Sequence, residues 1–221
     1  MSTTYTLQVK NNSTQDGYMC VYLKDPNMQK NKDIFSLAWF SMICNQGTEV
    51  TFEWDIDYYF MWSQTGHLVP GVRFHASQKE DAEPKNLAKN SIVLSKPNGG
   101  YKFIPPVQSA PAGSLMISTD NTVPNDEASV AVGMSGQPAF AKNAKTNMNF
   151  TFSPHPEYWI VFGDYQQGQV MDFNLSSSTF KVTFPNNIYS KILTFNEDNT
   201  FSETSLMEFN EAIRQSREIQ S

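Results

Sequence analysis

The tripeptide Asp55-Ile56-Asp57 places two carboxylates in a stretch where apolar and polar residues alternate. Successive side chains of a β-strand point to opposite faces, so both carboxylates share one face, about 7 Å apart. Paired carboxylates act as acid and base in glycoside hydrolysis, so a carboxylate-dependent glycosidase is one candidate function. The interpretation we favour is a solvated polar face, or acids that pair across strands with Arg73 and His75.

The residues around this pair form a long alternating segment that is rich in rings. The even-numbered members are all apolar or aromatic: Val50, Phe52, Trp54, Ile56, Tyr58, Phe60 and Trp62. A period of two predicts a strand whose even face is a wall of the core. On the odd face, Tyr59 and Met61 are the better candidates for an exposed apolar patch. Tyrosine and tryptophan rings with polar handles are natural stacking platforms for sugars and for protein interfaces.

A second alternating segment at 72–77 predicts a hairpin with 50–62, turning at Gly66 to Gly71. Its even residues, Phe74 among them, must then share the core face with the even residues of 50–62. The odd residues share the outer face, with Asp57 opposite His75 and Tyr59 opposite Arg73. The predicted binding candidates are therefore Asp55, Asp57, Tyr59, Arg73 and His75.

No pattern predicts a metal or a cofactor. The three histidines, His67, His75 and His155, lie far apart in the sequence and lack metal-ligand spacing. Asp120-Asn121 and the tripeptide at 125–127 supply oxygens that suit Ca²⁺, but their spacing is not that of an EF-hand and such clusters are ordinary in turns. Cys20 and Cys44 are expected to be buried thiols, with a single disulfide as the alternative.

Charge and hydropathy exclude several classes of partner. The chain of 221 residues has a net charge of -6 and only three arginines, which argues against a nucleic-acid partner. No apolar run is long enough to span a membrane, and the first ten residues do not resemble a secretory signal. We therefore expect a cytoplasmic protein without a transmembrane segment, with export independent of a signal peptide left open.

Turn residues separate further strand-like segments, which predict strands at 5–9, 18–23, 36–44, 91–95, 101–104, 114–119, 129–134, 148–153, 158–163, 170–175, 180–184 and 191–195. The tetrapeptide Pro97-Asn98-Gly99-Gly100 between two of them is a strong hairpin signal. The charged stretch 78–90 is interpreted as a surface loop. Near the end the period changes: Ser205 and Glu208 fit a capping box, followed by an apolar helical stripe. The predicted fold is all-β, a single antiparallel β-sandwich over 1–204 with one C-terminal α-helix over 205–221 packed on the same domain.

Four segments resemble a known family: SLAWFS (36–41), GTEVTFEWDIDYYFMWSQTG (47–66), PGVRFHASQ (70–78) and PEYWIVFGDY (156–165). They are similar to the rhizosphere-expressed RhiA-like proteins of bacteria. The resemblance implies a bacterial protein linked to life near a host and to population-density regulation. It implies no settled biochemical activity and supplies no catalytic residues.

We therefore expect a non-enzymatic binding or interaction protein of a host-associated bacterium, with a glycan or a protein as its partner. A membrane-acting β-sandwich, in the manner of small acidic pore formers, is the first alternative. The carboxylate-dependent glycosidase is the second.

Overall fold

The structure is a computed structural model that describes residues 3–24, 33–154, 157–172 and 178–204. Within these residues the chain is all-β, as predicted. The strands are β1 (Thr4–Asn11), β2 (Tyr18–Lys24), β3 (Phe35–Ser36), β4 (Ala38–Ile43), β5 (Glu49–Asp55), β6 (Tyr58–Ser63), β7 (Gln78–Ala82), β8 (Ser91–Ser95), β9 (Lys102–Ile104), β10 (Leu115–Thr119), β11 (Ser129–Met134), β12 (Gln137–Asn143), β13 (Asn149–Phe152), β14 (Glu157–Gly163), β15 (Thr179–Val182), β16 (Ser190–Phe195) and β17 (Phe201–Glu203). A 3₁₀ turn, Pro97–Gly99, joins β8 to β9. The predicted C-terminal helix at 205–221 lies outside the described residues.

These strands form four sheets, with the orders β17-β16-β1-β5, β13-β10-β8-β9, β3-β12-β11-β6-β7 and β15-β14-β2-β4. Most pairs are antiparallel, but β1 pairs in parallel with β16, and β8 with β10. The strands are therefore mainly antiparallel, as predicted, but the prediction did not include these two parallel pairs. Strand direction depends on which distant segments become neighbours, and β1 and β16 come from opposite ends of the chain. Parallel strands need a long connection, which local alternation does not reveal.

One hydrophobic cluster contains residues from all four sheets. Leu7 of β1, Val21 of β2, Phe60 of β6 and Ile117 of β10 are each at most 1% exposed and belong to it. Each of these sheets therefore turns one face toward a common apolar interior, and burial of that area is the main favourable contribution to folding.

The long alternating segment at 50–62 is two strands, not one. β5 pairs with β1, whereas β6 pairs with β11 in a different sheet, and the chain crosses between them at Ile56 and Asp57. Phe52 and Trp54 before the crossing, like Phe60 beyond it, are buried as the alternation predicts. Ile56 is 45% exposed because it lies at the crossing, where the backbone leaves one sheet for the next.

The predicted hairpin between 50–62 and 72–77 is wrong. β6 pairs instead with β7, in a register that sets Trp62 opposite Gln78 and Tyr59 opposite Asp81. The charged stretch that was interpreted as a loop thus begins with a strand at the edge of its sheet, where charged side chains are common.

Residues between β6 and β7 pack with the odd face of β6. Phe74, 3% exposed, joins a second apolar cluster that includes Met61, Leu68 and Val170. Met61 is fully buried there, so its predicted exposure is also wrong. Phe74 packs with an odd residue of β6 instead of the even ones, because the segment covers this face and does not extend the sheet. Among the described residues, no helix is long and apolar enough to cross a membrane.

Candidate functional site

Two adjoining depressions lie at the crossing from β5 to β6. The larger, here called the tyrosine groove, has a volume of about 890 Å³. It is lined by Ile56, Asp57, Tyr58, Tyr59, Asp81, Ala82, Glu83, Pro84, Lys85, Gly113, Pro154 and Tyr158. The smaller, the acidic hollow, has a volume of about 490 Å³. It is lined by Thr4, Phe40, Glu53, Trp54, Asp55, Asp57, Tyr59, Lys79, Ser135 and Gly136. Asp57 and Tyr59 line both, so the two depressions meet at these side chains.

Tyr158, on β14, is held in the tyrosine groove by other rings. Its centroid lies 5.2 Å from that of Trp54, 6.1 Å from that of Phe184 and 6.2 Å from that of Trp39. Ring pairs at such separations add to the energy of area burial. Burial raises the pKa of Tyr158 to about 12, against a smaller opposing effect of the Trp54 indole. The groove therefore contains a neutral phenol on a ring that is already fixed in place.

Tyr58 and Tyr59 begin β6 and, through the strand's alternation, point to opposite sides of it. The Tyr59 hydroxyl donates a 2.7 Å hydrogen bond to Asp57 Oδ2. This bond, with a smaller effect of burial and of nearby carboxylates, raises the pKa of Tyr59 to about 12. Burial also raises the pKa of Tyr58. All three tyrosines of the groove are uncharged at neutral pH.

The two carboxylates of the Asp55-Ile56-Asp57 pair are hydrogen-bonded within the protein. Asp57 Oδ1 accepts the backbone N–H of Ser135 at 2.7 Å, and Asp55 Oδ1 accepts the Thr4 hydroxyl at 2.6 Å. Ser135 is in the turn between β11 and β12, and its own hydroxyl accepts the backbone N–H of Asp55 at 2.7 Å. Each oxygen of Asp57 already accepts a hydrogen bond, so this carboxylate holds the turn and the Tyr59 side chain in place. It is therefore better suited to positioning these groups than to transferring a proton.

The rim of the tyrosine groove is charged. The Asp81 side chain is exposed and, among the described residues, makes neither a hydrogen bond nor an ion pair, although its charge acts on Tyr59. Glu83 pairs with Lys89 at 2.6 Å. On the side of the acidic hollow, Lys79 places its ammonium 4.8 Å from the centroid of the Tyr59 ring. The side chains available to a ligand therefore combine aromatic faces, phenol hydroxyls and an unpaired carboxylate.

The structure brings together three of the five predicted candidates. Asp55 and Asp57 lie beside Tyr59 at the acidic hollow. Arg73 lies elsewhere, where its Nε donates to the Gln167 carbonyl at 3.2 Å and its Nη1 to Gln166 Oε1 at 3.0 Å. His75 is exposed on the same segment and lines neither depression. His155 lies outside the described residues.

The acidic loop considered for calcium uses its oxygens internally. Asp120 Oδ1 accepts the Thr122 N–H at 2.9 Å, and Asn125 Oδ1 accepts the Thr146 N–H at 2.9 Å. Glu127 pairs with Lys96 at 2.6 Å. Across the described part of the chain, no group of three or more His, Cys, Asp or Glu side chains is placed to hold a metal ion.

Sequence reasoning missed most of the tyrosine groove. The alternation predicts that Tyr58 lies in the wall of the core, and the charged stretch 78–90 predicts that Asp81 lies in a loop. Tyr158 comes from a distant strand, and only the sheet arrangement brings it to the crossing. The sequence holds no signal for the crossing, because Ile56 continues the apolar even face of 50–62 without a break.

Comparisons with known proteins agree with the resemblance seen in the sequence. The family model described as RhiA matches residues 2–204. The chain is 38% identical over 205 residues to "Protein RhiA" of Rhizobium leguminosarum bv. viciae, an alignment that covers 90% of this chain and 85% of that protein. No solved structure matches the chain. The extent of both matches places the chain in the RhiA family.

Proposed function

We propose that this protein is a non-enzymatic binding protein of a host-associated bacterium, built on one β-sandwich domain, and that it recognises glycan in the tyrosine groove. The observation that carries the proposal is the groove itself. A depression of about 890 Å³ that is lined by three tyrosines and by acidic side chains has the size and composition of a small-ligand site.

The side chains match the chemistry of a sugar ring. Tyrosine faces stack on the apolar faces of pyranose rings, while phenols and carboxylates exchange hydrogen bonds with hydroxyl groups. Tyr158 is fixed by Trp54 and its neighbours, so a ligand that stacks on it does not have to order the ring. A protein partner is the second form of recognition expected from the sequence. The groove favours glycan, because its concave shape suits a few sugar rings better than a flat protein surface.

The test is a glycan array probed with the parent protein and with two matched variants. Ile56→Ser alters the tyrosine groove, whereas Ile188→Ser alters a residue outside it that is equally exposed, 46% against 45%. We expect selective glycan binding that falls about tenfold or more in Ile56→Ser and stays unchanged in Ile188→Ser, a difference of roughly 1.4 kcal/mol or more.

Two further assays address the alternatives. Release of dye from liposomes would favour a membrane-acting protein, and turnover of chromogenic glycosides would favour a glycosidase. The proposal fails if the array stays empty, or if both isoleucine variants lose binding equally.

A further inference from the structure

The two depressions carry an excess of negative charge. Five carboxylates line them, those of Glu53, Asp55, Asp57, Asp81 and Glu83, against the two ammonium groups of Lys79 and Lys85. No arginine or histidine is among the lining residues. Charges that face each other across an interface must be complementary, since like charges that are brought together oppose binding. A glycan bearing carboxylates or sulfates is therefore disfavoured here.

Most of these carboxylates already have partners within the described part of the protein, but Asp81 does not. Glu83 is neutralised by Lys89, and Asp55 and Asp57 accept hydrogen bonds from the protein. Asp81 has no such partner among the described residues, and it lies on β7 directly opposite Tyr59. A carboxylate beside an aromatic ring is the arrangement that binds an ammonium group, by charge attraction and by cation–π attraction together.

The protein already places one ammonium group against Tyr59. Lys79 Nζ lies 4.8 Å from the ring centroid and forms no ion pair within 4 Å among the described residues. Lys79 lines the acidic hollow and is not among the residues that line the tyrosine groove. The Tyr59 ring therefore attracts a cation on the hollow side, while Asp81 lies on the groove side.

We propose that the tyrosine groove selects glycans that carry a free amine, that is, amino sugars in their protonated form, with Asp81 as the counter-ion and Tyr59 as the ring beside it. The proposal rests on the proposed function, since it names the class of sugar that the same groove takes. The neutral parts of the sugar stack on the tyrosine rings, and the ammonium group is the feature that Asp81 recognises.

The experiment compares two tetrasaccharides with the same linkage, one of glucosamine and one of N-acetylglucosamine, by calorimetry at about pH 6, where side-chain carboxylates are ionised. We expect the amine form to bind about tenfold more tightly, an advantage of roughly 1.4 kcal/mol. Because the charges are exposed, this advantage is expected to shrink as salt is added.

Two variants locate the effect. Asp81→Asn removes the charge with little change of shape, and it is expected to abolish the preference for the amine form. Glu80→Gln removes the same charge from the preceding residue of β7, which points to the other face of the strand and lines neither depression. This control is expected to keep the preference.

Equal binding of the two tetrasaccharides, or tighter binding of the acetylated form, overturns this inference and leaves glycan binding in the groove intact. If Glu80→Gln loses the preference for the amine form as fully as Asp81→Asn does, the inference is also overturned, because the preference would then depend on the net charge of the protein and not on Asp81. If neither sugar binds but a lysine-containing peptide does so in a manner that depends on Asp81, the cation is a peptide side chain and the inference is wrong. If nothing binds, the inference fails, and the array described above decides the proposed function separately.

Discussion

Asp57, at the crossing from β5 to β6, accepts the backbone N–H of Ser135, in the turn between β11 and β12, at 2.7 Å. A second hydrogen bond joins the same turn to the crossing, since the Ser135 hydroxyl accepts the backbone N–H of Asp55. The place where the chain leaves one sheet for another is thus tied to the end of a hairpin. Because Asp57 also accepts the Tyr59 hydroxyl, the same carboxylate links the fold to the candidate site.

Replacing Asp57 is therefore expected to destabilise the protein. Asp57→Ala leaves the Ser135 N–H and the Tyr59 hydroxyl without their acceptor, which costs about 1–2 kcal/mol for a partly buried pair of donors. Asp81→Ala is the matched control, because Asp81 is exposed and forms no such bonds with the described residues. Its effect is expected to stay within about 0.5 kcal/mol. Denaturant unfolding measures both, and equal effects would contradict the positioning role of Asp57.

Tyr59 is expected to make stability depend on pH in the alkaline range. Its folded pKa is about 12, above the value of about 10 for an unfolded tyrosine. Because the pKa is raised by folding, the unfolded chain loses this proton at a lower pH than the folded protein does. The contribution to stability is complete below about pH 10 and is lost as the pH rises through 12. Unfolding free energies across this range are expected to fall with pH.

Asp57→Asn separates this effect from that of burial. The variant removes the charged acceptor of the Tyr59 hydroxyl, so the pKa of Tyr59 is expected to move down toward its ordinary value. The pKa of Tyr158 is raised by burial and is expected to stay near 12. Titration of phenolate absorbance in the native protein measures both. An unchanged Tyr59 transition would show that Asp57 is not its acceptor in solution.

The sequence predicted the strands well where burial imposes a pattern. The apolar run at 18–23 became β2, and Ser91–Ser95 is β8 as expected, because alternating or continuous apolar residues reflect local contact with the core. Besides β7, the prediction missed β12 (Gln137–Asn143) and β17 (Phe201–Glu203). Pairing was harder to predict than strand content: parallel neighbours such as β1 and β16 are set by contacts between opposite ends of the chain.

Only part of the candidate site could be predicted from the sequence, for the same reason. Asp55, Asp57 and Tyr59 could be placed together because they are neighbours within one segment. Arg73 was assigned to them by assuming that adjacent segments form a hairpin. Tyr158 could not be assigned, since its approach to Tyr58 depends on how separate sheets pack around the common core.

Cys20 and Cys44 are both free and buried, which agrees with the expectation of two thiols. Burial raises the pKa of each thiol, so the reactive thiolate is scarce at neutral pH. We expect little reaction with an aromatic disulfide reagent in the native protein, and reaction of both thiols after denaturation without reductant. Titration of fewer than two thiols in the denatured protein would indicate a disulfide.

The last prediction concerns Arg73 and Phe74, neighbours with different environments. Phe74 is 3% exposed and packs in the second apolar cluster, where its backbone N–H and the Gly168 carbonyl also form a 2.8 Å hydrogen bond. Phe74→Ala is expected to cost about 3–5 kcal/mol, as for other large-to-small changes in a core. Arg73→Ala removes only exposed hydrogen bonds and is expected to change stability by about 0–1 kcal/mol.

A pair of double-mutant cycles tests the position of this segment directly. Phe74 shares a cluster with Met61, whereas Phe60, the next residue on β6, belongs to the main core on the other face. Alanine changes at Phe74 and Met61 are expected to be non-additive by about 0.5 kcal/mol or more, because the two residues pack in one cluster. The cycle of Phe74 with Phe60 is expected to be nearly additive. Stronger coupling to Phe60 would instead restore the hairpin, in which Phe74 shares the core face with the even residues of β6.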